Sequence, residues 1–268
     1  MIFPAWTRLV NFYSGLIIDL LSQGERQPWE SLMNNTAFQE QARTVADAMV
    51  GELAKVNAKS WREAAFKSQN GRKIYKALQE EIRRANLQPH LDAIAERNAR
   101  LIRSLPSKIA HQVTEHAQTL FQEGKRPEEI QRELKLVAPR MTKAHARLIA
   151  RTEISKAESN LTVARAQNID IGWGQWATSK DQRVRKSHRN LDKVLVAFDD
   201  PPQPEELIGE RTTLGRGLPG AFPNCRCVLL PLISLDEVSW PCKVYRSGSI
   251  TRYTRAKFAA LAGYQRAA

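Results

Sequence analysis

The sequence predicts an α+β protein: a long helical N-terminal region, built as a hairpin or bundle, followed by a small α+β domain with a short sheet. Two observations carry this. Through roughly the first 165 residues, apolar side chains recur at spacings of three and four, the period of a helix with one buried face. Near Gly172 the pattern changes to short aromatic and β-branched runs flanked by glycine, two of them separated by a long Pro/Gly-rich stretch. The expected organisation is a helical arm over 1–140, a small domain over 141–235 and a basic tail over 236–268.

The elements follow in order. MIFPAWTRLVNFYSGLIIDLLSQGE reads as an amphipathic helix. Its uncharged run between Arg8 and Asp19 is too short to span a bilayer, no basic segment precedes it and no small-residue cleavage site follows. Thr36 and Gln39 have the spacing of a capping box, with Thr36 placed to hold an amide of the first turn. Ala42, Val45, Met49, Leu53 and Val56 then form one apolar stripe, and Leu91, Ile94, Asn98, Leu101 and Leu105 form a second. Pro106 predicts a kink or break before Ile109, Val113 and Leu120 resume the second stripe. Gly124 closes that helix, and Pro127 opens PEEIQREL as a short one that ends by Pro139. Thr142 is expected to cap a long helix with Ile154, Ala157, Leu161 and Ala164 on its apolar side. GWGQWATS, KVLVAF (193–198) and CRCVLL (225–230) are strand candidates, and the two tryptophans of GWGQW are expected on one strand face, as core.

The formal charge of +13 points to a polyanionic neighbour, nucleic acid first, against the plainer reading of a basic soluble protein. From Lys243 onward there are six basic residues and no acidic one. Lys243, Arg246, Arg252, Arg255 and Lys257 are therefore candidate phosphate contacts, sequence-independent and salt-sensitive. Three cysteines are too few for a secreted disulfide scaffold, which suits folding in a reducing cytoplasm.

Several clusters carry chemistry. Arg151 and Glu153, in LIARTEI, either anchor the small domain through buried ion pairs or sit on a solvated helix face. In KDQRVRKSHRNLD, Asp181 is expected as an N-cap with His188 two turns on, among Arg183, Arg185 and Arg189. That segment is a metal or catalytic pair, a phosphate-contacting helix, or a histidine held by a structural hydrogen bond. His111 and His116, five apart, cannot share a ligand as an i, i+4 pair could. In PNCRC, Cys225 and Cys227 would share one face of a strand, with Cα atoms about 6.6 Å apart, near the limit for a disulfide. If the chain instead bends after Pro223, Asp181, His188, Cys225 and Cys227 become candidate ligands of a structural zinc. Otherwise the two thiols are buried small groups beneath the GWGQW strand. No P-loop, GxSxG, HExxH or dinucleotide-binding glycine motif is present, so an enzyme is not expected.

Taken together, ARLIARTEISKAESNLTVAR, GWGQWATSKDQRVRKSHRNLD, a Pro/Gly-rich loop and PNCRCVLLPL resemble the phage Mu protein F-like family of head morphogenesis (minor capsid) proteins. The resemblance is strong over Thr142 to Ile233 and includes Arg151, Glu153, Trp176, Asp181, Arg185, His188, Cys225 and Cys227 as motif positions. Lys193 stands where many relatives carry glycine. The resemblance implies a minor head protein of a tailed phage or prophage, made in the bacterial cytoplasm and carried in the virion, inside the head or at the portal vertex. Its implied partners are the portal and the capsid or scaffold proteins, with non-specific DNA and no membrane. The competing function is a metal-dependent hydrolase or nuclease using Asp181, His188, Cys225 and Cys227.

Overall fold

The computed structural model describes residues 34–67, 71–84, 87–211 and 213–263; the amphipathic segment read from residues 1–25 lies outside them. In order, the elements are α1 (Thr36–Lys67), α2 (Gly71–Arg84), α3 (Gln88–Arg103), α4 (Leu105–Gln122), α5 (Pro127–Gln167), β1 (Trp173–Ala177), α6 (Lys186–Asn190), β2 (Leu195–Ala197), β3 (Val228–Pro231), β4 (Cys242–Arg246), β5 (Ser249–Tyr253) and α7 (Arg255–Ala262). The α+β class is as expected: a long helical region first, then a five-stranded sheet with helices. The chain divides into two compact units. One takes the described residues of Met1–Glu52 and Leu91–Glu153, the other those of Leu53–His90 and Ile154–Ala268.

The first unit is helical throughout its elements. The α1 stripe buries Phe38, Ala42, Ala46 and Met49, and α3 buries Ile94, Ala95, Ala99 and Ile102. Glu96 of α3 takes Arg43 of α1 at 3.1 Å and Arg103 at 2.8 Å. The cap of α1 differs from expectation: the Phe38 N–H donates to Asn35 Oδ1 at 3.1 Å, one residue before Thr36. Ser104 separates α3 from α4, with Pro106 in the first turn of α4, where a missing N–H costs nothing. Gly124 closes α4 at φ +80°. Pro127 then opens α5, which runs unbroken through Pro139 to Gln167, so PEEIQREL is its first turns and Thr142 an interior residue.

The second unit is built on a mixed sheet in the order β3-β1-β2-β4-β5. All pairs are antiparallel except β2 with β4, which meet in parallel at Leu195 and Val244. Every residue of β2 is buried, which is why KVLVAF reads as a continuous apolar run rather than an alternating one. One face carries Trp176, Val196, Leu229 and Tyr245, packed with Trp61 and Ala65 of α1, Ile74 and Leu78 of α2, and Ala166 of α5. The other face carries Leu195, Val244 and Tyr253 with Phe258 of α7. Trp173 and Trp176 are three residues apart and so lie on opposite faces, correcting their expected placement on one. Trp176 is fully buried, while Trp173 meets Phe258 edge-on at 5.0 Å between ring centroids. Residues after 235, read as a tail, supply β4, β5 and α7.

Candidate functional site

The segment between β1 and β2 brings the motif residues into place. The Asp181 carboxylate accepts the Arg183 N–H at 2.9 Å and the Ser179 hydroxyl at 3.0 Å, forming a tight turn and not the expected helix cap. The helix that follows, α6, spans only Lys186–Asn190 and carries His188 into the core at 2% exposure. Asp192 accepts the N–H and hydroxyl of Thr178 at 2.9 and 2.8 Å, and the Lys193 N–H donates to Trp176 O at 2.8 Å. Lys193 makes the turn into β2 at φ +62°, a conformation that explains why glycine suits this position.

The long loop after β2 returns to His188 from the other side. Gly220 lies in the left-handed region at φ +88°, and a Cβ there would sit 2.7 Å from Ser155 O, so the loop presses directly against α5. The Cys225 N–H donates to Phe222 O at 3.0 Å and Asn224 takes φ +54°, so the chain does bend after Pro223. The strand begins only at Val228. Cys225 and Cys227 therefore precede β3 rather than alternate along it, and the 6.6 Å strand spacing does not apply.

Three side chains converge there. His188 Nδ1 lies 3.5 Å from Cys225 Sγ and 3.6 Å from Cys227 Sγ, and all three residues are buried. The imidazole stands edge-on to Trp176 at 5.3 Å and to Phe222 at 5.0 Å between ring centroids, and these two rings orient it. The Gly220 N–H points at Cys225 Sγ at 3.4 Å. Hydrogen bonding from Cys227 first, and then from His188 and Gly220 N–H, pulls the Cys225 thiol down to about 4, against burial. Cys227 is pushed up, first by its contact with Cys225 and then by burial. All three cysteines of the chain are free thiols, Cys242 lying in the cluster on the opposite face of the sheet.

Asp181, expected as a fourth ligand, is not in this cluster. It forms a two-pronged ion pair with Arg226 at 2.5 Å. Burial opposes its ionisation, but Arg226, the Arg183 N–H and Ser179 hold its carboxyl below the ordinary range. Of the basic residues around His188, Arg185 grips the loop by donating to Pro223 O at 2.7 Å, while Arg189 donates to Gln182 O at 2.7 Å within its own segment. A cavity of about 10 Å³ lies beside the cluster, lined by Arg183, Arg185, Asn224 and Arg226 among others.

The remaining candidates lie apart. Glu153 is buried and paired with Arg97 of α3 at 3.0 Å, inside the helical unit and not in the small domain, while Arg151 is exposed. Lys243, Arg246 and Arg252 are exposed on β4 and β5, with Lys243 directly opposite Arg252. Arg255 pairs with Asp236 at 2.7 Å, and Lys257 stands over the Tyr253 ring at 4.4 Å. Among residues the sequence did not single out, Asn57 donates to Thr162 at 3.0 Å and accepts from the buried Arg165. Ser155 donates to Cys225 O at 3.3 Å. A polar residue on the apolar side of a helical stripe was the only available signal for Asn57. Among the described residues no helix is long and apolar enough to cross a membrane.

No solved structure matches the chain. An uncharacterized protein of Haemophilus influenzae is 28% identical over 152 residues, which cover 57% of this chain. The match spans 31% of that relative's length. The family described as "Phage Mu protein F like protein" matches residues 110–230, a stretch that holds α5, β1, α6, β2, the long loop and all three converging side chains. Over residues 110–230, somewhat under half of its length, this chain is similar to the phage Mu protein F-like family.

Proposed function

We propose that the chain is a minor head protein of a tailed phage or prophage, acting in procapsid assembly at the portal vertex, in DNA delivery or in both, without catalysing a reaction. The observation that carries this is the family match over residues 110–230, which takes in the motif residues from Arg151 to Cys227. The reading makes the portal and the capsid or scaffold proteins its partners and the virion its destination, after synthesis in the bacterial cytoplasm. The exposed cations of β4 and β5 would supply weak, sequence-independent DNA contacts.

The geometry favours a structural role over a hydrolase. The cavity that reaches His188 and both cysteines is about 10 Å³, room for one water, while the larger one beside Cys227, about 130 Å³, is lined by neither His188 nor Cys225. Asp181, the carboxylate a hydrolytic site would use there, is tied up by Arg226. The test is genetic: particles assembled without the gene product should show reduced infectivity or altered DNA retention. Fully infectious particles at normal yield would overturn the proposal.

A further inference from the structure

The His188, Cys225 and Cys227 cluster has the dimensions of a metal site. In a tetrahedral zinc centre, Zn–S bonds of about 2.3 Å and Zn–N bonds of about 2.0–2.1 Å place nitrogen and sulfur about 3.6 Å apart. The two N···S distances here are 3.5 and 3.6 Å, and the three ligand atoms all lie within 4.8 Å of one another. Either distance alone would suit an S–H···N hydrogen bond, but Nδ1 has a single lone pair and both sulfurs lie against it, an arrangement that a shared ion satisfies.

The surroundings fit such an ion. The left-handed Asn224 lets two cysteines one residue apart aim at the same point. The donor set of two soft thiolates and one imidazole suits zinc, and two thiolates neutralise its charge, which matters at a site this buried. The Gly220 N–H is directed at Cys225 Sγ, a contact of the outer kind that steadies a metal thiolate. Asp181 is excluded by its pairing with Arg226, so the fourth ligand comes from the small cavity lined by Arg183, Arg185 and Asn224, which has room for about one water.

We propose that His188 Nδ1, Cys225 Sγ and Cys227 Sγ hold one zinc ion, with water in the fourth position, as a staple joining α6 to the end of the long loop. The proposal stands independently of the head-protein reading.

The test uses the full chain, free of any affinity tag, purified under reducing conditions from zinc-supplemented cells. Elemental analysis should find about one zinc per chain, and X-ray absorption should show two sulfurs at about 2.3 Å and one imidazole nitrogen at about 2.0–2.1 Å. In competition with a chelator, Cys227→Ser and His188→Ala should retain zinc at least about tenfold less well than the wild type. Cys242→Ser, altered in the other cluster, should retain it normally. Should the first two variants fail to fold, the absorption spectrum of the wild type decides alone. Zinc below about a tenth of an equivalent in folded protein, zinc without sulfur ligands, equal loss in Cys242→Ser, or a Cys225–Cys227 disulfide would each overturn the proposal.

Discussion

Asp192 shows how a single side chain holds the motif segment. Its carboxylate receives both the N–H and the hydroxyl of Thr178, tying the end of β1 to the entry of β2. Burial opposes its ionisation, but these two hydrogen bonds hold its carboxyl below the ordinary range. A depressed folded value means the stabilisation is fully present above the unfolded pKa and is lost as pH falls through the folded one. Asp192→Ala should therefore cost on the order of 1 kcal/mol near neutral pH, allowing for solvent screening of a partly exposed group. Chemical denaturation at several pH values should show the gap between variant and wild type closing below about pH 4. A gap that stays constant down to pH 2 would place the effect in packing and not in charge. Among the motif residues, sequence placed His188 and the cysteines within reach of one another on the condition of a bend after Pro223, and the bend is there. It misjudged Asp181, because a carboxylate beside so many arginines has a choice of partners that spacing does not rank, and Arg226 lies within the very PNCRC motif.

At the scale of elements, local rules succeeded where one residue decides and failed where packing does. Gly124 and Pro127 mark a helix end and the next start because φ and the missing N–H are properties of those residues alone. Pro139 did not break α5, since the rest of a helix 41 residues long outweighs one lost hydrogen bond. Strand β3 starts three residues later than CRCVLL suggests because Cys225 and Cys227 are drawn toward His188. The β4–β5 hairpin has a local sequence signal of its own. Ser247 and Gly248, both at positive φ, form a two-residue turn between alternating runs. The turn before β2 gives the element-scale prediction. Lys193 occupies the left-handed region at a cost of about 1–2 kcal/mol, partly offset by the greater chain entropy glycine would lose there. Lys193→Gly should raise stability by about 0.5–1 kcal/mol in chemical denaturation, and a loss of stability would show that the lysine side chain matters more than its backbone.

For the whole molecule, charge and family lead to different measurements. A formal charge of +13, with Lys243 facing Arg252 across β4 and β5, predicts DNA binding that is weak, indifferent to sequence and strongly weakened by salt. Titrations at two salt concentrations should show this, and Lys243→Ala with Arg252→Ala should flatten the salt dependence by about two counterions. Affinity unchanged by salt would contradict it. If the chain is a component of phage heads, as proposed, quantitative mass spectrometry of purified particles will find it there. Procapsids and mature virions from a host carrying the gene should contain the chain in few copies, in fixed ratio to the portal and enriched over the cell lysate. Particles that carry portal at normal abundance but none of this chain would contradict the account.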